Sequence, residues 1–170
     1  PFWILDFDMT TGQGIDVEVM AVKEAFQETF AQVCVGNVDN DGFNRLVLAA
    51  GLHWRGVVML RALCKYLLQT HSPFSQTYME QSLASHPASA RLLVELFAVR
   101  FDPAQRGDAE PRAAALTGQI EQALENVSSL DEDRILRMFL ALIQAMLRTN
   151  YYQSNAEGTP KPYLSFKLDS

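Results

Sequence analysis

The chain has 170 residues, of which 48% are apolar, and a formal net charge of −6. This length is enough for one domain with a proper core. The acidic balance argues against nucleic acid and anionic membranes as partners, because both attract clustered Lys and Arg. No apolar run reaches the roughly 18 residues needed to span a bilayer, and the first residues lack the features of a signal peptide. We therefore expect a soluble cytoplasmic protein that binds neither nucleic acid nor a membrane.

Hydrophobic periodicity predicts a mainly α fold, a bundle of six to seven helices with a short strand fragment at each end. The predicted strands cover 2–7 and 163–168. In chain order, helices are predicted over 15–35, 43–50, 52–69, 75–85, 87–101, 112–126 and 129–152. Between these elements, turn-forming residues predict a turn at 10–14, loops at 36–42 and 102–111, and a flexible linker at 153–162.

The helix predicted over 129–152 is the one around which we expect the others to pack. Ser129 is a good N-cap, and Glu132 three residues later completes a capping box. Asp131 and Asp133 add negative charge at the positive end of the helix dipole. The body of this helix is apolar on nearly every side, which is typical of a helix surrounded by other helices.

The polar side of the same helix carries three arginines, Arg134, Arg137 and Arg148. Guanidinium groups pair well with carboxylates, so this ridge is suited to dock acidic residues of a neighbouring domain or to bind a small carboxylate metabolite. An ordinary solvated polar face is the competing interpretation. The ridge is the one candidate binding site that the residues suggest.

The opening strand ends in Asp6-x-Asp8-x-Thr10, which resembles the first motif of haloacid-dehalogenase-type phosphatases. In that motif the first Asp is a nucleophile and the second a general acid, on a loop that holds Mg²⁺. The chemistry also needs later residues on a parallel sheet, whereas helix follows helix here. An exposed acidic strand end is therefore favoured, and the phosphatase is the alternative.

Two further motifs are incomplete. The Gly12–Gly14 stretch lacks the third glycine of a dinucleotide-binding loop. Asn37-x-Asp39-x-Asp41-Gly42 resembles the front half of an EF-hand loop, but Leu48 stands where a bidentate Glu is needed. We expect ordinary turns and loops at both places, and neither a cofactor site nor a metal site.

The remaining reactive side chains also favour structural roles. Cys34 and Cys64 both lie in apolar helical patterns, which favours two buried, reduced thiols over a disulfide or a metal site. The histidines are not paired with each other or with cysteine at ligand spacing. They are His53, His71 and His86, and each is expected to cap or flank a helix.

Four stretches together resemble the large bacterial NAD-specific glutamate dehydrogenases. They are FNRLVLAAGLHWRGVVMLRALCKYLLQT, ARLLVELFAVRFDP, SSLDEDRILRMFLALIQAMLRTNYYQ and KPYLSFKLDS. In that family a very long chain places regulatory ACT-like and helical segments ahead of the catalytic domain. The resemblance implies a homo-oligomeric parent that oxidises glutamate to 2-oxoglutarate and ammonia with NAD⁺. It places the glutamate and nucleotide sites beyond Ser170, so no catalytic, cofactor-binding or metal residue is expected in this chain.

The resemblance also implies a domain division. Residues 1–14 would end a preceding ACT-like, β-containing domain, residues 15–152 would form the helical domain, and residues 153–170 would be the linker and first strand leading to the catalytic domain. The absence of an initiator Met and the strand-like ends lead us to expect a piece of a longer protein. Its partners would be neighbouring domains of the same chain, met through exposed apolar surface.

Overall fold

Seven α-helices and two short β-strands make up residues 18–169, the part of the chain that the computed structural model describes. The predicted mainly α fold is confirmed. The elements are α1 (Val19–Cys34), α2 (Arg45–Ala49), α3 (Trp54–Gln69), α4 (Gln76–Ser85), α5 (Pro87–Phe101), α6 (Ala109–Leu124), α7 (Leu130–Ala145), β1 (Met146–Thr149) and β2 (Phe166–Leu168). The strand predicted at 2–7 and the turn at 10–14 lie outside the described residues, and so do Asp6 and Asp8.

Several helices begin where their capping residues predict. Ser75 accepts a hydrogen bond from the Tyr78 amide at 3.2 Å and caps α4. Pro87 opens α5, where a missing amide hydrogen costs nothing. The His53 ring accepts from the Arg55 amide and caps α3, as expected for a helix-flanking histidine. Local side-chain chemistry therefore sets these three boundaries.

Helix α7 begins at the predicted cap but uses only half of the predicted capping box. Ser129 Oγ accepts from the Glu132 amide at 3.4 Å. The Glu132 carboxylate accepts instead from His86 Nε2 at 2.9 Å, so it ties α7 to the junction between α4 and α5. A tertiary partner has replaced the local one.

The body of α7 packs against α3, α4, α5 and α6, as expected for a central helix. Its buried side chains are Ile135, Leu136, Phe139, Leu140 and Ile143. The opposite side is exposed and includes Ala141 and Gln144. The helix is therefore central without being surrounded on all sides.

The predicted end of this helix at 152 is wrong, because α7 ends at Ala145 and the chain continues as β1. Met146 has extended backbone angles, φ −74° and ψ 128°. The following residues pair antiparallel with β2, and the Asp169 amide donates to the Ala145 carbonyl at 2.8 Å. Pairing with a distant strand overrides a helical pattern that continues in the sequence.

The two strands are joined with an irregular register. Met146 lies opposite Leu168, Arg148 opposite Lys167, and Thr149 opposite Phe166, with a bulge between Met146 and Arg148. Met146 is buried and Thr149 half-buried, whereas Leu147 and Arg148 are both exposed. The bulge thus presents two consecutive side chains to the outside of the sheet.

Two stretches predicted as loop and linker are ordered differently. The loop predicted at 102–111 contains a 3-10 helix, Pro103–Asp108, followed directly by α6. The linker predicted at 153–162 is a compact turn, in which the Asn155 amide donates to the Thr159 carbonyl at 2.8 Å. Asn155 Oδ1 accepts from the Thr159 amide, and Gly158 supplies a positive φ of 79°. Asn and Gly are the residues that such a turn requires.

The expectation of two buried thiols holds for only one of them. Cys64 is buried and Cys34 is exposed, and both are free. Helix α1 packs its Ala25 and Phe26 side against the core, which leaves Cys34 on the outer side. Within residues 18–169, no helix combines the length and the hydropathy needed to cross a bilayer.

The central position of α7 yields a stability prediction. Phe139 has no exposed surface, whereas Leu130 on the same helix is 72% exposed. Phe139→Ala should lower the free energy of unfolding by about 3–5 kcal/mol, because it removes buried contacts and leaves a cavity. The control Leu130→Ala should change it by less than about 0.5 kcal/mol. Denaturant unfolding would measure both, and equal effects would contradict the central role of α7.

Candidate functional site

The strand pair is fastened to the preceding helices by two arginines. Arg55 of α3 donates to the Tyr151 carbonyl oxygen, and its guanidinium carbon lies 4.2 Å from the centroid of the Tyr151 ring. Arg100 of α5 donates to the carbonyl oxygens of Gln144 at 3.0 Å and Met146 at 3.3 Å. Gln144 and Met146 lie just before and at the start of β1, and Tyr151 lies just beyond its end, so the strand is held near both ends. We call Arg55 and Arg100 the arginine clamp.

The clamp also explains where α7 stops. The last carbonyls of a helix have no partner within the helix and need one from elsewhere. Arg100 binds the carbonyls of Gln144 and Met146, and the Asp169 amide binds that of Ala145. A cationic donor at this position is favourable, because the carboxyl end of a helix carries partial negative charge.

An aromatic cluster fills the space beneath the clamp. The Phe97 ring meets that of Tyr151 edge to face at 5.0 Å and stacks on that of Tyr152 at 6.3 Å. Phe101 also contacts Phe97, at 5.1 Å between ring centroids. Burial raises the pKa of both tyrosine hydroxyls, and the nearby Arg55 offsets part of that rise. The two tyrosines therefore stay neutral and act as packing anchors.

A second polar cluster holds the loop that precedes α2. The Arg61 side chain, only 5% exposed, binds Asp41 through two nitrogens, with Nε to Oδ2 at 2.6 Å and Nη2 to Oδ1 at 2.8 Å. Arg61 also donates to Asn44 Oδ1 at 2.8 Å and to the Asp39 carbonyl at 3.2 Å. This buried pair is well compensated, because each charge meets several partners.

The aspartates of the EF-hand-like motif thus bind basic side chains of α3. Lys65 Nζ lies 2.7 Å from Asp39 Oδ2, and this hydrogen bond with the Lys65 charge lowers the pKa of Asp39. Among the residues of the described range, no group of three His, Cys, Asp or Glu side chains is placed to hold a metal ion. The motif acts in this structure as an ion-paired loop.

Helix α4 closes against this loop. A Cβ added at Gly42 would collide with the carboxylate of Glu80, a buried residue that accepts from Gln76 Nε2 at 2.8 Å. Glycine at this position therefore leaves room for the Glu80 carboxylate. Burial, with the Glu80 and Asp41 charges, raises the pKa of the Cys64 thiol to about 12, so this thiol stays protonated and unreactive.

The structure does not bring the three predicted arginines onto one helical ridge. Arg134 lies on α7 with its guanidinium carbon 5.8 Å from the Phe74 ring centroid, and Arg137 binds Asp133 at 2.9 Å. Arg148 lies on β1 instead, because α7 ends at Ala145. The predicted helical geometry of the ridge is therefore wrong. Docking by any of the three arginines stays a prediction.

The clamp residues were not predicted from the sequence. Arg55 stands on the polar third of its helix, which indicates only an exposed side chain. Its acceptor is 96 residues away, and the acceptors of Arg100 are 44 and 46 residues away. A spacing rule detects partners within one element, so no local signal identifies these contacts.

These contacts define the class of the chain: a helical module whose last helix and strand pair are clamped onto the helices before them. Comparison with known proteins matches two segments of this chain to family models. The family described as "Glutamate dehydrogenase, helical motif 3" matches residues 38–103, and "Bacterial NAD-glutamate dehydrogenase, catalytic domain" matches residues 119–170. The chain belongs to the family of large NAD-specific glutamate dehydrogenases, and the resemblance seen in its sequence is confirmed.

Curated relatives named NAD-specific glutamate dehydrogenase match along the whole chain. The protein of Halomonas elongata is 44% identical over 99% of this chain and 10% of its own length. That of Pseudomonas aeruginosa is 43% identical over 99% and 11%, and that of Mycobacterium tuberculosis 42% identical over 100% and 11%. The chain thus spans about a tenth of the length of these relatives. No solved structure matches it.

The arginine clamp joins the two segments that match the family models. Arg55 and Arg100 lie in the helical-motif match, whereas the carbonyls they bind lie in the catalytic-domain match.

The catalytic-domain match begins at residue 119, inside α6, and so ahead of the predicted division at 152. The predicted domain division stays a prediction. These matches do not support the phosphatase alternative at Asp6 and Asp8, nor the small-carboxylate module.

The loop cluster yields a prediction with a matched control. Asp41→Ala leaves Arg61 buried without its anion and should lower the free energy of unfolding by about 3–5 kcal/mol. Asp39→Ala removes a pair whose side chains are 53% and 60% exposed, and should cost about 1 kcal/mol or less. Denaturant unfolding in the same buffer would compare the two, and a larger loss for Asp39→Ala would overturn this description of the loop.

Proposed function

We propose that this chain is a non-catalytic helical segment of a large NAD-dependent glutamate dehydrogenase. Its role is to couple the regulatory domains to the catalytic domain and to support assembly of the homo-oligomer. The parent reaction converts glutamate, NAD⁺ and water to 2-oxoglutarate, ammonia and NADH. Under this proposal the chain supplies no catalytic residue, and NAD binds elsewhere in the parent enzyme.

The arginine clamp is the observation that carries the coupling role. Both arginines come from the helical-motif match, and the carbonyls that they bind belong to the catalytic-domain match. A displacement of α3 or α5 would therefore pull on β1 at one of its ends. Coupling between sites needs such physically continuous contacts.

A shared hydrophobic core supports the same role. Helix α7 of the catalytic-domain match buries its apolar side against α3, α4 and α5 of the helical motif. Close-packed cores transmit displacement because they resist compression. The two matched segments would then move together, as a coupling element needs and a passive spacer does not.

Helix α1 supports the assembly role. Met20 is 77% and Phe30 55% exposed, and Val35 at the end of the helix is 69% exposed. Large apolar side chains exposed together mark surfaces that meet other proteins or domains. We assign the exposed side of α1, along which these three side chains are spaced, to a contact with a second copy of the enzyme.

The coupling role predicts an effect of Arg100→Ala in the full-length enzyme. Loss of the two charge-assisted hydrogen bonds should loosen β1, since each such bond contributes about 1.5–3 kcal/mol. The kcat for NAD⁺-dependent glutamate oxidation, followed at the nicotinamide absorbance, should fall on the order of tenfold. The control Arg91→Ala, on the same helix, removes only an exposed pair with Glu95 at 3.8 Å and should leave kcat unchanged.

Two outcomes would count against this proposal in different ways. Equal kcat values for wild type, Arg100→Ala and Arg91→Ala would leave the segment as a spacer within a glutamate dehydrogenase. Absence of glutamate-dependent NAD⁺ reduction in the wild-type full chain would remove the parent reaction itself.

The assembly role predicts that Phe30→Glu in the full-length enzyme shifts the oligomer toward smaller species. A charge at the centre of an apolar contact costs several kcal/mol of association free energy. Gln122→Glu adds the same charge at an exposed polar position of α6, outside this surface, and should leave the assembly intact. Sedimentation velocity would separate the species. An unchanged sedimentation coefficient in Phe30→Glu would rule out this face as the subunit contact.

A further inference from the structure

Two cations face each other across the strand pair. Arg148 lies directly opposite Lys167, and both side chains are exposed. Like charges at directly opposed positions of an antiparallel pair destabilise it. Among residues 18–169, no carboxylate forms an ion pair with either of them. Although the chain has a net charge of −6, no anion among these residues offsets the repulsion between the two cations.

The surroundings of the two cations are those of a contact surface. The bulge places Leu147 beside Arg148 on the outside of the sheet, where Leu147 is 49% exposed. Tyr163 is 58% exposed and lines a cleft of about 350 Å³ together with Arg148 and Lys167. Asn150, Gln153 and Ser165 add polar groups to the cleft walls. Bulges are common where a strand must aim its side chains at a partner.

The backbone of this sheet also accommodates a partner. Within the described part of the chain, the sheet consists of β1 and β2 alone. A two-stranded sheet has two edges at which backbone amides and carbonyls can pair with a further strand, and in this sheet Arg100 already binds the Met146 carbonyl. An extended segment can add to such an edge through main-chain hydrogen bonds, while its side chains supply the selectivity.

We infer that the face formed by Leu147, Arg148, Tyr163 and Lys167 docks an acidic extended segment of the catalytic domain of the same polypeptide. The cation pair sets the charge of the occupant. The strands lie inside the catalytic-domain match, and the chain spans about a tenth of the length of its relatives, so we assign the occupant to the rest of that domain. The inference rests on the proposed function.

Zero-length crosslinking of the full-length enzyme tests this docking. A carbodiimide activates a carboxylate, and the Lys167 amine then displaces the activated oxygen to form an amide, with the carbodiimide leaving as a urea. Peptide mass spectrometry locates the linked residues. Lys65 and Asp39, 2.7 Å apart, provide an internal positive control for the reaction. We expect Lys167 to link to an Asp or Glu of the same polypeptide beyond the residues described here.

Mixing isotopically labelled and unlabelled subunits distinguishes the occupants. Links at Lys167 within one isotope class support the inference. Links between classes would show that a second subunit occupies the face, and links to Asp169 alone would show that the cation pair is neutralised within the strand. Either result overturns the inference, and so does the absence of a Lys167 link when the Lys65–Asp39 link forms.

Arg148→Gln removes the cation pair without threatening the strand pair, because it relieves the repulsion at Lys167 and adds no carboxylate that could compete for the Lys167 link. In this variant the link from Lys167 to the distant carboxylate should fall at least about tenfold, while the Lys65–Asp39 link stays constant. Arg91→Gln, an equal charge change at an exposed position of α5, should leave both links unchanged. The crosslinks are read without any enzyme assay, so failure of the docking and failure of the glutamate reaction are separable.

Discussion

The end of α7 is the constraint on which the rest of this structure depends. Its last carbonyls need donors, and Arg100 of α5 and the Asp169 amide provide them. Because those donors are fixed by the core and by β2, the chain must leave the helix at Met146 and turn into a strand. The strand pair, the aromatic packing of Tyr151 on Phe97 and the outward bulge all follow from that one exit.

The contribution of each arginine to the stability of this acidic chain depends on its surroundings. Arg61 is buried and forms a bidentate pair with Asp41. Removal of Asp41 would leave an unpaired buried charge, at a cost of several kcal/mol. Arg137 is half exposed and binds Asp133 within one helix, where screening by solvent leaves the pair with little effect on stability. Arg55 is half-buried and Arg100 is exposed, and both bind backbone carbonyls, so their contribution is to position a strand. Geometry, and not the number of ion pairs, decides which arginines matter.

The sequence predicted the mainly α fold and the starts of α3, α4, α5 and α7, because caps and periodicity act within a few residues of one another. It failed where a distant partner decides. The pattern from Met146 to Tyr152 continues the helical spacing, and only pairing with β2 makes it a strand. The ridge with Arg148 failed for the same reason, and the clamp could not be found because its partners lie 44 to 96 residues apart. The family resemblance was confirmed because it depends on the order of whole stretches along the chain, and not on contacts between distant residues.

The charge distribution separates two kinds of surface on this module. Asp39, Asp41, Glu28 and Glu132 each meet a cation or a histidine within the described residues, so those carboxylates serve the fold. Arg148 and Lys167 differ from these pairs, since two cations oppose each other directly where a single Glu would have formed a stabilising cross-strand pair. Folding alone does not favour such a pair. A partner that supplies negative charge does, and the pair lies on the side of the clamp where the catalytic-domain match continues to residue 170.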